Sequence, residues 1–269
     1  MQSVVSNSRA LQAYILTVDA EDGPRRKSSM QTWAASEISY QFIQGYTAEE
    51  VSSFDYNGLT NFFRYKRPLT AGEIAVYKGH RKIWQRIVED GVYVGLVLED
   101  DAMIIDNEHL KTFLTDVLLQ LDYRSWDIIK LFNFTAKNVI STRHAGNSKL
   151  VLHRRPANGA VGYLINPQAA KRLLCRKRVF RPIDEDLSHP WELGLRVWSA
   201  SKNLLSEVSP ELGGSLLEGE RHLLDVASRR QTIRFAAKRN ILELEKQLRS
   251  ILYARKILAD ERSLVDGWS

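Results

Sequence analysis

The residues best suited to chemistry are three consecutive acids, Glu99, Asp100 and Asp101, which end the most apolar strand-length run of the chain, Val92 to Leu98. Carboxylates this close repel and raise one another's pKa unless something cationic meets them. A divalent cation is the simplest remedy, because hard carboxylate oxygens suit Mg²⁺ or Mn²⁺, ions that commonly share their remaining positions with substrate phosphates. A solvated acidic turn or a helix cap is the alternative for so short a run. Its place at the end of an apolar strand favours the ion, since ligands of open α/β sheets bind beyond the carboxyl ends of the strands. His80 falls on the apolar face of a helix, where a packed, hydrogen-bonded core histidine is the default. His109, His144, His153, His189 and His222 show no paired metal-ligand spacing. No phosphate loop of the GxxxxGK type is present, which counts against an ATPase-like enzyme.

The elements that must position these acids alternate in type. Leu11 to Val18 reads as a strand, Asp19 to Pro24 as a turn, and Arg25 to Ala34 as a helix. A short strand is expected at Ile38 to Ile43, then a long loop with a short helix from Thr47 to Arg67. The clearest helix opens at Thr70, which can cap it, with Glu73 reaching back to complete a capping box. Ile74, Tyr77, His80, Ile83, Trp84, Ile87 and Val88 then share one face, and Gly91 ends it. Glu108 to Leu121 repeats the helical period. Asp127 to Phe132, Leu150 to His153 and Ala160 to Ile165 read as strands, Asn166-Pro167 opens a helix through Leu174, and Arg181 to Pro190 reads as a loop. Strands alternating with helices predict an α/β fold.

A chain of 269 residues, 44% hydrophobic and 26% charged, can bury an ordinary core in one large domain with an appendage. The expected division is a domain over 1–220 and a helical extension over 221–269. No apolar run approaches the ~18 to 20 residues that cross a bilayer. Met1 to Arg9 has neither a basic start nor an apolar stretch, so no secretory signal is expected. Cys175 is the single cysteine, which excludes an intramolecular disulfide and a Cys-rich zinc site; both features fit a cytoplasmic protein. The net charge of +6 is local: Arg221 to Arg262 holds eleven Lys and Arg against five Asp and Glu, which accounts for the whole excess. Ala227 to Arg262 reads as one amphipathic helix or two, with Ile233, Ala237, Ile241, Leu244, Leu248 and Ile251 along one stripe. Such a helix can pack on the domain, pair two copies as a homodimer, or lie on anionic lipid at the cytoplasmic face of an inner membrane. Nucleic acid is disfavoured because aromatic residues are sparse along it.

An ordered set of segments resembles glycosyltransferase family 25, the group that includes bacterial lipooligosaccharide galactosyltransferases and animal collagen galactosyltransferases. The set comprises Leu69-Thr70-Ala71-Gly72-Glu73-Ile74-Ala75, His80 with Trp84, Val97-Leu98-Glu99-Asp100-Asp101, and Trp126-Asp127-Ile128-Ile129-Lys130-Leu131. It continues through Gly162-Tyr163-Leu164-Ile165, Ala169 to Leu174, and Pro182-Ile183-Asp184, so that the likeness spans roughly Ala13 to Pro210. The resemblance implies a GT-A-like nucleotide-sugar-binding fold with a mostly parallel central sheet. It also implies inverting transfer of a hexose from a UDP-sugar, most often UDP-galactose, to a saccharide or lipid-linked saccharide acceptor in lipopolysaccharide or another surface glycan. Glu99 to Asp101 look like the family's DxD motif: Asp101 and Asp100 would hold Mn²⁺ or Mg²⁺ against the diphosphate, with Glu99 or Asp100 nearer the ribose.

By the same resemblance Arg25 and Arg26 follow the first strand where the family's N-terminal arginine would reach the donor, although Thr17-Val18-Asp19 departs from the usual start. His80 would stand at the donor site, with Gly79 in place of the serine that usually precedes it. Inversion also needs a base for the acceptor hydroxyl. Asp184, Glu185 and Asp186 are candidates; the family pattern favours Asp184, Asp186 is the other choice, and a helix N-cap is the competing role for each. Tyr163 and Trp191 could stack on sugar or serve as core anchors. Two other functions compete: a phosphoryl or nucleotidyl transferase with two metals on the same acids, and a nonenzymatic module that binds membrane or nucleic acid through the tail.

Overall fold

The computed structural model describes residues 11–134, 138–208 and 232–266. The expected signal-free start, the expected boundary at 220 and His222 lie outside the described residues. In chain order the elements are β1 (Leu11–Thr17), α1 (Pro24–Ala34), β2 (Tyr40–Gln44), α2 (Gly58–Arg64), α3 (Ala71–Asp90), β3 (Val94–Glu99), β4 (Ala102–Ile104), α4 (Asn107–Gln120) and β5 (Ile128–Lys130). They continue with β6 (Val139–Ala145), β7 (Ser148–His153), β8 (Gly162–Ile165), α5 (Pro167–Leu174), α6 (Ile183–Leu187), β9 (Val197–Ala200), β10 (Leu205–Glu207) and α7 (Thr232–Asp266).

Eight strands form one sheet in the order β2-β1-β3-β8-β5-β9-β7-β6, and β4 pairs with β10 apart from it. β1 runs parallel to β2 and β3, and β5 to β9, while β8 and β7 run against their neighbours. Six of the eight strands therefore point the same way: the α/β fold expected from the alternation of elements, with the mostly parallel sheet that the family resemblance implies.

Both faces of the sheet are covered, and the alternation of side chains along β1 shows how. Ala13 and Ile15 join a core with Trp33, Leu110, Phe113 and Val117 from α1 and α4. Tyr14 and Leu16 join the opposite core, with Tyr77, Ile83, Trp84 and Leu173 from α3 and α5. Burying each such large apolar side chain stabilises the fold by roughly 1.5–3 kcal/mol. The capping box of α3 forms as expected, with the Glu73 amide donating to Thr70 Oγ1 at 3.0 Å and the Thr70 amide to Glu73 Oε2 at 3.1 Å. Gly79 has a packing reason: a Cβ there would lie 2.6 Å from Leu16 Cδ1, so α3 rests on β1 at that residue.

Two expectations change. Arg181 to Pro190 is not a loop: it contains α6 and a 3-10 turn at Pro190–Glu192. Pro182 precedes α6, and Asp184, Glu185 and Asp186 fill its first turn, where negative charge suits the helix dipole. The strands β4, β6, β9 and β10 were not anticipated; β6 is a largely exposed edge strand of mixed polarity, and the other three span only three or four residues.

Among the described residues the C-terminal segment is one helix, α7, and it packs on the domain. Tyr253 and Ile257 enter the core beneath the sheet, and the Val197 amide donates to Tyr253 Oη at 3.2 Å. Lys246 Nζ donates to Glu185 Oε2 at 2.9 Å, and Arg143 pairs with Glu261. Ile241, Leu244, Leu248 and Leu252 face outward on α7. Among the described residues no helix is long and apolar enough to cross a membrane.

Candidate active site

The carboxyl ends of β1 and β3 lie side by side, and that adjacency builds the site. Thr17 ends β1 and Glu99 ends β3, so Asp100 and Asp101 emerge beside Thr17 at the edge where parallel strands leave a crevice. Thr17 Oγ1 donates to Asp100 Oδ2 at 2.7 Å. Thr17 Oγ1 also accepts the Asp19 amide at 3.1 Å, and Asp19 Oδ2 accepts the Arg25 amide at 2.9 Å, which fixes the start of α1. Arg25 is thereby aimed at the acids: Nη1 lies 3.0 Å from Asp100 Oδ1 and 3.4 Å from Asp101 Oδ2. All three side chains are buried.

The cation that meets Asp100 and Asp101 in this arrangement is thus a guanidinium, one positive charge between two carboxylates, with Glu99 close enough to add to the negative potential. Burial, then Glu99 and Asp100, push the Asp101 carboxyl up to about 7 against the pull of Arg25. Asp101 Oδ1 is buried and has no hydrogen-bond partner. Oxygen donors left over beside excess negative charge fit a hard divalent cation.

A cavity of about 350 Å³ opens over these residues. Arg25, Glu99, Asp100, Asp101 and Asp184 line it together, with Gly45 to Ala48 after β2 and Gly159 to Val161 before β8. Lys130, fully buried, donates to the carbonyls of Ala157 and, at 3.1 Å, Asn158, and so holds the second loop in place. Burial lowers its ammonium to about 7, with Asp184 acting in the other direction. Gly159 needs its identity, with φ of 105° and the Phe134 ring 3.0 Å from where a Cβ would sit.

His80, Arg26 and Asp186 stand outside the cavity lining. His80 is buried behind Glu99, with Nε2 3.5 Å from Glu99 Oε1 and Nδ1 2.9 Å from Tyr163 Oη, which also accepts from Trp84 Nε1 at 3.0 Å. The simplest satisfied chain has Trp84 donating to Tyr163, Tyr163 to Nδ1, and Nε2–H turned toward Glu99. Burial lowers His80 to about 3, so the ring is neutral and acts on Glu99 by position. Tyr163 belongs to this chain rather than to the cavity wall. Arg26 lies over the Phe42 ring at 4.5 Å. Asp186 is fully engaged elsewhere: Tyr77 Oη donates to it at 2.6 Å, and Arg176 and Arg181 stand at 2.9 and 3.3 Å. Glu185 points away from the cavity, where burial would raise its pKa but Lys246 and Lys66 hold it down to about 2.

Sequence reasoning did not single out Thr17 and Asp19 as partners of the site, nor the loops Gly45 to Ala48 and Gly159 to Val161. The first loop had a signal, because it follows the strand next to β1 and must open onto the same crevice. Nothing local marks the second.

The sequence model described as glycosyltransferase family 25 (LPS biosynthesis protein) matches residues 11–187. Procollagen galactosyltransferase 1 of Danio rerio is 23% identical over 205 residues, covering 67% of this chain and 34% of that protein. Inactive glycosyltransferase 25 family member 3 of Mus musculus is 28% identical over 206 residues, covering 70% and 31%. The matched region thus spans about a third of the length of these relatives. Among solved structures, Drosophila beta-1,4-galactosyltransferase 7 in complex with manganese, UDP-Gal and xylobiose aligns with a TM-score of 0.38 and 8% identity, covering 74% of this chain and 71% of that one.

Proposed function

The chain belongs to glycosyltransferase family 25, and from that membership we propose that its cavity takes UDP-galactose and passes the hexose, with inversion, to a saccharide acceptor of a surface glycan such as lipopolysaccharide. The observation that carries the proposal is the single cavity lined by Asp100, Asp101 and Asp184 at the carboxyl ends of parallel strands. Galactose as the sugar is suggested by the name of the procollagen relative, and the glycan by the family's description.

In the transfer, the acceptor hydroxyl oxygen bonds to the anomeric carbon while the bond from that carbon to the diphosphate oxygen breaks. The electron pair leaves on UDP, and the hydroxyl proton passes to a carboxylate oxygen of Asp184. Asp184 suits this part because it lines the cavity, whereas Asp186 is committed to Tyr77 and two arginines. Arg25 brings a guanidinium, a group matched to phosphate oxygens, to the donor side. Asp101 and Asp100 would hold Mn²⁺ or Mg²⁺, the role that the partnerless Asp101 Oδ1 fits. When bound, such an ion stabilises the negative charge that develops on UDP. Among the described residues no three His, Cys, Asp or Glu side chains gather as a metal shell; donor oxygens and water can supply further ligands.

The test is calorimetric titration of a panel of UDP-sugars with and without Mn²⁺, together with slow donor hydrolysis, which requires no acceptor. UDP-galactose should bind tightest and in a Mn²⁺-dependent manner. A panel in which no UDP-sugar binds would overturn the reading.

A further inference from the structure

A second pocket lies on the other side of α6. Asp184 lines the donor cavity, and the next residue, Glu185, lines a pocket of about 200 Å³ closed by the end of α2, residues 189–192 and α7. Seven Lys and Arg side chains and four glutamates form its walls. Ion pairing does not absorb the surplus. Glu192 is shared by Arg64 and Arg181 of the wall and by Arg176 outside it, and Glu185 by Lys66 and Lys246. Arg155 pairs with Glu243 and Arg249 with Glu245, and Arg181 also meets Asp186, so all four wall glutamates are taken while the wall cations still outnumber them. Two further wall groups, Arg181 Nε and Trp191 Nε1, are buried N–H donors with no hydrogen-bond partner, and they add to the positive potential. His189 registers that potential: burial, then Arg181 and Lys246, lower it to about 3.

A joint that only fastened α7 to the domain would be served by matched charges, because leftover like charges repel. The surplus is instead complementary to a negatively charged ligand. The pocket is smaller than the roughly 300–1,000 Å³ sites that take drug-sized ligands, and its size suits a single sugar ring. Trp191 gives such a ring an aromatic wall, and Arg239 and Arg249 are exposed at the rim, Arg249 engaging Glu245 through Nε alone, so that an incoming anion can reach both guanidinium groups.

We propose that this pocket binds an oxyanion, a carboxylate or a phosphate ester, carried by the acceptor saccharide, and so selects acidic acceptors and presents them from the α6 side to Asp184. The inference rests on the reading of the first cavity as the donor site, because only then is a neighbouring sugar pocket an acceptor pocket.

The experiment titrates the full chain with galacturonate, glucose 6-phosphate, galactose, glucose and inorganic phosphate, and with UDP on the same samples. At least one acidic sugar should bind tenfold or more tightly than its neutral counterpart, and which of the two does so identifies the anion as carboxylate or phosphate ester. The double variant Arg239→Gln/Arg249→Gln should lose that preference by tenfold or more while keeping the melting temperature and UDP affinity of the parent. Equal binding of acidic and neutral sugars, or an unchanged preference in the double variant, overturns the proposal. Inorganic phosphate binding as tightly as glucose 6-phosphate also overturns it, since the site would then hold an adventitious ion only. A chain that binds acidic sugar through this pocket but not UDP keeps the pocket and removes the donor reading; one that binds UDP but neither acidic sugar does the reverse.

Discussion

On one side of α6, Asp100 and Asp101 share one buried guanidinium, Arg25, with Glu99 beside them; on the other, Glu192 alone is met by Arg64, Arg176 and Arg181. The two clusters use the same residue types in opposite proportion, and the carboxyl groups respond in opposite directions. Asp101 is pushed up to about 7 by burial and by its acidic neighbours. At Glu192 burial also works upward, but the arginines outweigh it and bring the group down to about 2. A carboxylate in the first cluster is short of positive charge and suited to recruiting a cation with its substrate. One in the second is saturated and contributes to stability. Residue type therefore says little about role here; the local ratio of charges says more.

The sharpest way to break this contrast uses two acids of the same short helix. Asp186→Asn should destabilise the fold by about 3–5 kcal/mol, because it leaves the buried Arg176 and Arg181 with only Glu192, already shared with Arg64, to balance them. Asp184→Asn should melt with the parent and bind UDP with unchanged affinity, yet lose transfer by about 10²-fold or more. Thermal melts and single-turnover assays on both variants decide the matter. An Asp186→Asn protein as stable as the parent but catalytically dead would reverse the two assignments.

Glu192→Gln tests the saturated cluster through pH. The folded carboxyl is depressed to about 2 from an ordinary value of 4.5. Its contribution is therefore present above pH 4.5 and is lost as pH falls toward 2, where folded and unfolded chains bind the proton alike. At about 1.4 kcal/mol per pKa unit, the variant should be less stable than the parent by about 3 kcal/mol at pH 7. The gap should close between pH 4.5 and 2. Denaturant melts across that range check it; a pH-independent gap would mean that packing, not charge, is what Glu192 supplies.

How much of this was legible in the sequence varied with length and range. The α3 helix was legible because twenty residues carry its period and its capping box is a local signal. The strand ahead of Glu99 was legible from the unbroken apolar run Val92 to Leu98. The five residues of α6 carry no period, so the charge-rich segment from Arg181 read as a loop. The strand β6, paired among the described residues only to β7, lacks the apolar run by which β3 was found. Arg25, Asp100, Asp101 and Asp184 were legible as candidates, but not the ion pair between Arg25 and the acids. That contact depends on α1 crossing the end of β3, a tertiary placement that no local pattern encodes. His80 likewise read as a helix-face histidine, but the chain through Tyr163 to Trp84 needs β8 beside β3.

The deficient cluster should respond with the opposite sign to Glu192. Without metal, Asp101→Asn should leave stability unchanged or raise it, because it removes one of three mutually repelling carboxylates while keeping the side-chain shape. With Mn²⁺ present it should weaken UDP binding by about tenfold, which is about 1.4 kcal/mol. Melts in chelator and calorimetry in Mn²⁺ give the two readings. A variant that melts lower in chelator would show that Arg25 already balances the cluster, and that the two sides of α6 do not differ as argued.

The smallest expected effect separates two adjacent arginines. Arg25 reaches the acids, whereas Arg26 lies over Phe42 at 4.5 Å with only the exposed Glu21 near it, at 3.9 Å. A surface ion pair contributes about 0–1 kcal/mol and a cation over a ring near the surface, such as the half-buried Phe42, about 0.5–1 kcal/mol. Arg26→Gln should therefore cost less than about 1 kcal/mol of stability and change UDP affinity less than about twofold, since nothing it touches lines the donor cavity. Arg25→Gln should do the opposite in both readouts, because it leaves Asp100 and Asp101 buried without their cation. Parallel melts and UDP titrations of the two variants make the comparison direct. A tenfold loss of UDP affinity in Arg26→Gln would mean that the first turn of α1 rotates toward the donor when it binds, so that the acid-rich side of α6 gains a second guanidinium during the reaction.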